Sequence, residues 1–148
     1  MSRKKTSQNS LKQKNLDNLQ YQRFLDAKVL RELIREKSDD LSEVKTIIHL
    51  GACSSTTETN KAYLEDNNFL STKAVAEACN VLKVRLISLS STSVYGTQNG
   101  LVSEDCGDEE LNPQSPYAST KLKEEKLLES LSKDSIGFTC LRFGTIFG

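Results

Sequence analysis

The sequence predicts an α/β fold, a parallel sheet wrapped by helices, and three observations predict it. Short aliphatic runs recur three times, separated by two segments with helical spacing of apolar residues. Each intervening segment is long enough to force its flanking strands parallel, with a right-handed crossover. Small and hydroxyl residues follow each aliphatic run, as expected where strands end at a ligand-binding rim.

The elements follow in order. Residues 1–20 are rich in Lys, Gln, Asn and Ser, show no apolar period, and read as a disordered polar arm. The folded part then spans 21–148 as one domain. Phe24, Leu25, Val29, Leu30, Leu33 and Ile34 recur at helical spacing over Phe24–Ile34. Val44–Leu50 reads as a short buried strand. A helix from Lys61 to Leu82 turns Leu64, Leu70, Ala74, Val75 and Ala78 inward, and Val84–Leu89 forms the second strand. Thr97–Gln114, with Gly, Asn, Asp and Pro, is a polar surface excursion. Ser115 and Pro116 then start a helix as N-cap and first helical residue. That helix runs to about Ser132 and offers Leu122, Leu127, Leu128 and Leu131 for burial. Gly137 precedes the third strand, Phe138–Phe143.

Composition excludes several classes. With 148 residues the chain can hold one modest core, and its formal net charge of +0 gives no footprint for nucleic acid or an anionic membrane. No apolar run approaches the ~20 residues of a membrane helix, and the basic start lacks the apolar stretch of a secretory signal. Cys53, Cys79, Cys106 and Cys140 are scattered, and the lone His49 cannot complete a metal set with them. No metal site is expected, and scattered thiols without an export signal point to the cytoplasm.

The chemistry should lie just beyond the strand ends. Gly51 to Glu58 follow the first strand, Ser90 to Gly96 the second, and Gly144 to Gly148 the third. Small residues let a flat ligand approach the backbone, and hydroxyls orient its polar groups. Tyr117 and Lys121, four apart, share one helical face. An ammonium beside a phenol favours the phenolate, which can take a proton from a sugar hydroxyl. Ser91 could bond the same oxygen as it becomes a carbonyl. Tyr and Lys four apart also occur on many helices by chance. The joint order of S-S-x-x-V-Y-G, polar loop and P-Y-x-x-x-K distinguishes this sequence from such cases.

The motifs His49–Ala52, Asp66–Asn68, Ser90–Gly96, Pro116–Lys121 and Leu141–Phe143 resemble those of the extended short-chain dehydrogenase/reductases, the NAD-dependent epimerase/dehydratase family. The resemblance covers about Phe24 to Gly148. It is strongest to ADP-heptose 6-epimerases, with UDP-galactose 4-epimerase character at Pro113–Tyr117. It implies a Rossmann-like doubly wound parallel sheet, NAD or NADP as cofactor, a nucleotide-sugar substrate and a homodimer of the full-length type. It further implies Tyr117 as acid/base, Lys121 as holder of the nicotinamide ribose and tuner of Tyr117, and Ser91 as the catalytic hydroxyl. Leu50, Gly51, Ala52, Cys53, Ser54, Asn67, Ser90 and Gly144 would join Tyr117 and Lys121 around the cofactor. Ser91, Thr92, Ser93 and Thr145 would meet the substrate. Thr92 and Ser93 stand where 4,6-dehydratases of this type carry an Asp–Glu pair, so epimerisation fits better than loss of water. A reductase or dehydratase on the same scaffold, or a non-catalytic binding module, are the alternatives.

The same resemblance leads one to expect a Gly-rich phosphate-binding turn ahead of the first strand seen here, yet the first glycine is Gly51. The chain is therefore expected to be a partial domain without its first βαβ unit and its substrate-binding lobe. On this reading it needs complementary segments, leaves the Val44–Leu50 edge bare, and gains no melting temperature from NAD(P) by itself.

Overall fold

The computed structural model describes residues 14, 19–36, 38–132 and 137–144, and the chain clusters into two units, Met1–Glu32 and Leu33–Gly148. Most of the polar arm, and Thr145, expected from the sequence to meet the substrate, fall outside the described residues.

In the first unit the rings of Tyr21 and Phe24 lie 6.3 Å apart, tilted by 56°. Helix α1 (Ala27–Arg35) crosses the division between the units. It begins three residues later than the apolar spacing predicts, because Asp26 rather than a residue before Phe24 provides the first helical carbonyl, to Leu30 N–H at 3.0 Å. Phe24 and Leu25 thus precede the helix, and Phe24 is exposed.

The second unit holds a three-stranded parallel sheet in the order β1 (Thr46–His49), β2 (Arg85–Ser91), β3 (Phe138–Phe143). Register is fixed by Ile47 beside Leu86 beside Phe138, and by Ser91 beside Phe143. Between β1 and β2 runs one helical stretch made of α2 (Lys61–Leu64), a π-helical turn (Glu65–Leu70) and α3 (Ser71–Leu82). Asn60 caps its start by accepting from Tyr63 N–H. Lys83, with φ 56°, ends it in the left-handed conformation. Helix α4 (Pro116–Ser132) links β2 to β3, and Ser115 Oγ caps it by accepting from Ala118 N–H at 3.1 Å, as the Ser-Pro pair predicts.

The core lies between the sheet and α3 and α4. Ala76, Cys79, Val84, Leu86 and Leu128 form its buried centre, with Val44, Ile47, Val75, Leu82, Leu131 and Phe138 packed against it. Leu64 and Ala78 are buried as expected, but Leu70 and Ala74 are exposed, and Thr72 and Ala76 take the inward face. The π turn explains the change: its wider winding advances the helix phase by about one residue, so the face downstream rotates. The opposite sheet face carries Ile48, Leu50, Leu141 and Phe143, all exposed. The expected sheet, with its parallel strands and helical crossovers, is thus observed, with β1 at its edge among the described strands.

Candidate active site at the strand ends

Ser91 is the last residue of β2 and also caps the 3-10 turn that follows, Thr92–Tyr95. Its hydroxyl accepts from Ser93 N–H at 3.2 Å and from Ser93 Oγ at 2.9 Å. With two donors already on Ser91 Oγ, its own proton is directed elsewhere, and the Tyr117 phenol lines the same cavity. Gly96 closes this turn at φ 67°, where a Cβ would come within 1.9 Å of the Asn112 carbonyl oxygen. That contact folds the polar excursion back against the turn and requires glycine.

Tyr117 and Lys121 come from the first two turns of α4, both nearly fully buried. The helical stripe continues through Glu124 to Leu128, so a carboxylate follows the phenol and the ammonium on the inward face. Lys121 Nζ donates to the Leu89 carbonyl at 3.0 Å and to Glu124 Oε2 at 3.1 Å. The same Oε2 accepts from Thr72 Oγ1 of α3 at 2.8 Å. Burial lifts the Glu124 carboxyl above its ordinary range; the Lys121 charge and the bonds from Thr72 and Lys121 oppose this.

The acidity of Tyr117 departs from the sequence expectation. Burial raises its pKa above the ordinary value, the bond with Ser91 opposes the rise, and Glu124 and Cys53 add to it. Lys121 does not offset the rise as anticipated; its ammonium donates to Glu124 and to the Leu89 carbonyl. His49, at the end of β1, is held below its ordinary value, first by burial and then by the Lys121 charge.

A cavity of about 450 Å³ opens at this edge, lined by Leu50, Ala52, Cys53, Ser54, Thr56, Leu89, Ser90, Ser91, Tyr117, Lys121, Phe143 and Gly144. It joins the ends of all three strands to the start of α4. The expected residues Leu50, Ala52, Cys53, Ser54, Ser90, Ser91, Tyr117, Lys121 and Gly144 all line it. Gly51, Asn67, Thr92 and Ser93 do not: Gly51 lies against the His49 ring, and Thr92 is exposed beside Gly144.

Asn67 donates its amide to the Tyr63 carbonyl on its own helix, 2.9 Å away. The backbone-ordering role expected of Asn67 belongs to its neighbour. Asn68 is fully buried, accepts from Cys53 N–H at 2.8 Å and donates to the Cys53 carbonyl at 3.2 Å. It thereby fixes the loop that forms one wall of the cavity. Sequence spacing carried the signal: Leu64, Asn68 and Thr72 are four apart and share the buried face. Glu124 and Arg142 were likewise missed. Arg142 on β3 donates to Glu125 at 2.7 Å and to the Tyr95 hydroxyl at 2.9 Å, tying β3 to α4 and to the Ser91 turn.

Residues 1–148 match the profile of the NAD dependent epimerase/dehydratase family. The ADP-L-glycero-D-manno-heptose-6-epimerase of Brachyspira hyodysenteriae is 32% identical over 128 residues, 86% of this chain and 39% of that protein. Its counterpart from Fusobacterium nucleatum is 34% identical, covering 69% of this chain and 30% of that protein. Among solved structures, UDP-glucuronic acid 4-epimerase from Bacillus cereus in complex with NAD superposes with a TM-score of 0.78 at 30% identity, covering 94% of this chain and 45% of that one. MoeE5 in complex with UDP-glucuronic acid and NAD gives 0.67 at 34% identity, covering 74% of this chain and 38% of that one. The chain thus spans less than half the length of these relatives.

Proposed function

The chain belongs to the NAD dependent epimerase/dehydratase family, and from that premise we propose that it carries the catalytic portion of a cytoplasmic nucleotide-sugar epimerase that uses NAD. The observation that carries this reading is the convergence of Ser91, Tyr117 and Lys121 on one cavity at the strand ends. Relatives whose names specify ADP-heptose and UDP-glucuronic acid support the substrate class.

The site's chemistry fits the cofactor. The cavity lies within the usual range for small-ligand sites, and its walls on the β1 side are small residues. Ser90 lines it, and its Oγ is buried without a hydrogen-bond partner among the described residues. Lys121 has three N–H donors and uses two on Leu89 and Glu124, leaving one for a ribose hydroxyl. Leu50, Ala52, Cys53, Ser54, Ser90 and Gly144 would hold the remaining faces. When bound, NAD supplies the reversible acceptor for the hydrogen and electron pair that leave the sugar carbon.

The chain's own residues move the proton. Tyr117 Oη takes it from the sugar hydroxyl as that oxygen becomes a carbonyl, and returns it when the carbonyl is reduced from the other face. Ser91, anchored by both groups of Ser93, holds the same oxygen within reach throughout. Thr92, exposed beside Gly144 at the mouth of the cavity, and Thr145 are proposed to contact the sugar. No acidic side chain occupies the positions next to Ser91, which favours inversion over elimination of water.

The test is product analysis by NMR, run on the chain together with the complementary segments it is expected to need, with ADP-linked heptose and UDP-linked hexuronate each supplied with a trace of NAD. An inverted sugar with no net reduced NAD is expected. A dehydrated sugar, or reduced NAD accumulating in step with substrate, would replace the epimerase reading with a dehydratase or dehydrogenase.

A further inference from the structure

The Lys121–Glu124–Thr72 cluster does something the proposed reaction does not require. An ammonium that serves only to hold a cofactor and acidify a phenol needs no buried counter-charge. Here the counter-charge is built in from two helices, with Glu124 on α4 and Thr72 on α3, both almost completely excluded from solvent. Oε2 of Glu124 accepts both bonds, whereas Oε1 is buried with no hydrogen-bond partner among the described residues. A carboxylate with one satisfied and one bare oxygen in a buried site is poorly stabilised as an anion. A proton can add at Oε1 without breaking either bond at Oε2.

We propose that Glu124 is a positioning residue whose protonation state decides how much of the Lys121 charge acts on Tyr117. Ionised, Glu124 draws the ammonium toward α3 and opposes ionisation of the phenol. Protonated, it remains a hydrogen-bond partner but no longer offsets the positive charge, and the phenolate becomes easier to form.

The other groups around the cluster do not substitute for Glu124. On α4, Glu125 is paired with Arg142 of β3. Thr72 is the polar contact from α3 and has no charge. His49 of β1 is held below its ordinary value, first by burial and then by the Lys121 charge, and the Cys140 thiol of β3 is exposed. Cys53, in the loop after β1, adds to the rise at Tyr117 but makes no bond to the cluster. Glu124 is the one carboxylate hydrogen-bonded to Lys121 among the described residues.

The functional consequence rests on Tyr117 being the acid/base, but the test does not, because it reads the phenol directly in the 148-residue chain. Tyrosine labelled at the ζ carbon is titrated by NMR, and the Tyr117 signal is identified by its loss in Tyr117→Phe. In Glu124→Gln, which keeps the shape and removes the charge, the Tyr117 midpoint should move to lower pH. An unmoved midpoint in a folded Glu124→Gln chain overturns the proposal. Should that variant not fold, the unsubstituted chain decides. The Glu124 δ-carbon should titrate above the ordinary carboxylate range, and the Tyr117 signal should show an inflection at the same pH. Absence of that shared inflection overturns the proposal equally. In the active enzyme, the same substitution should shift the rising, low-pH limb of the pH–rate profile toward acid, because that limb follows ionisation of the proton-accepting phenol, a change that mere loosening of the fold would not produce.

Discussion

At the scale of single residues, the site depends on side chains that fix other groups as much as on those that react. Asn68 is the clearest case, since its amide closes a two-bond bridge to the backbone of Cys53 inside a buried pocket. Asn68→Ala strands one donor and one acceptor and should cost about 1–3 kcal/mol in urea unfolding. Asn68→Asp should cost no less, because it places a carboxylate oxygen against the Cys53 carbonyl. Asn67→Ala, which loses one exposed bond to its own helix, should stay within about 0.5 kcal/mol. A reversed ranking would mean that Asn67 orders the loop. Tyr117, Lys121 and Ser91 were legible from the sequence because their spacing and neighbours are characteristic. Glu124 was not, since a charged residue on a Lys- and Glu-rich helix reads as solvent-facing. The stripe 117, 121, 124, 128 identifies it only once Tyr117 and Lys121 are known to point inward.

At the scale of elements, strands and helices were legible because aliphatic runs and helical periods are long and regular. Their ends and phases were less so. β2 extends to Ser91 instead of stopping at Leu89, since its outer residues pair with Arg142 and Phe143 of β3, a long-range partner that no local pattern reveals. The π turn was invisible for a similar reason: packing against α4, rather than local composition, rewards the extra residue. It matters to the site, because it brings both Asn68 and Thr72 inward toward the Cys53 loop and Glu124. The end of α3 offers an independent check. Lys83 adopts the left-handed conformation that glycine takes without steric cost. Lys83→Gly should therefore stabilise the chain by roughly 0.5–1 kcal/mol. A loss of stability in thermal or urea unfolding would show that the Lys83 side chain contributes more than its backbone strain removes.

At the scale of the molecule, the arrangement separates support from chemistry. One sheet face packs on α3 and α4 and holds the core. The strand ends and the first turns of α4 enclose the cavity, and Arg142 braces β3 against both α4 and the turn after Ser91. The other sheet face presents Ile48, Leu141 and Phe143, all exposed. The parallel order of the strands was legible from the lengths of the crossovers. The exclusion of Gly51, Thr92 and Ser93 from the cavity wall was not, because a strand end fixes where the chain leaves the sheet but not which way each side chain then turns. All of this geometry converges on one phenol, and the most direct measurement is single-turnover reduction of NAD by a nucleotide sugar with Tyr117→Phe, in the enzyme completed by the segments it is expected to need. Removing the hydroxyl should slow that step by about 10²–10⁴-fold while NAD binding changes little. A rate equal to that of the unsubstituted protein would contradict the account.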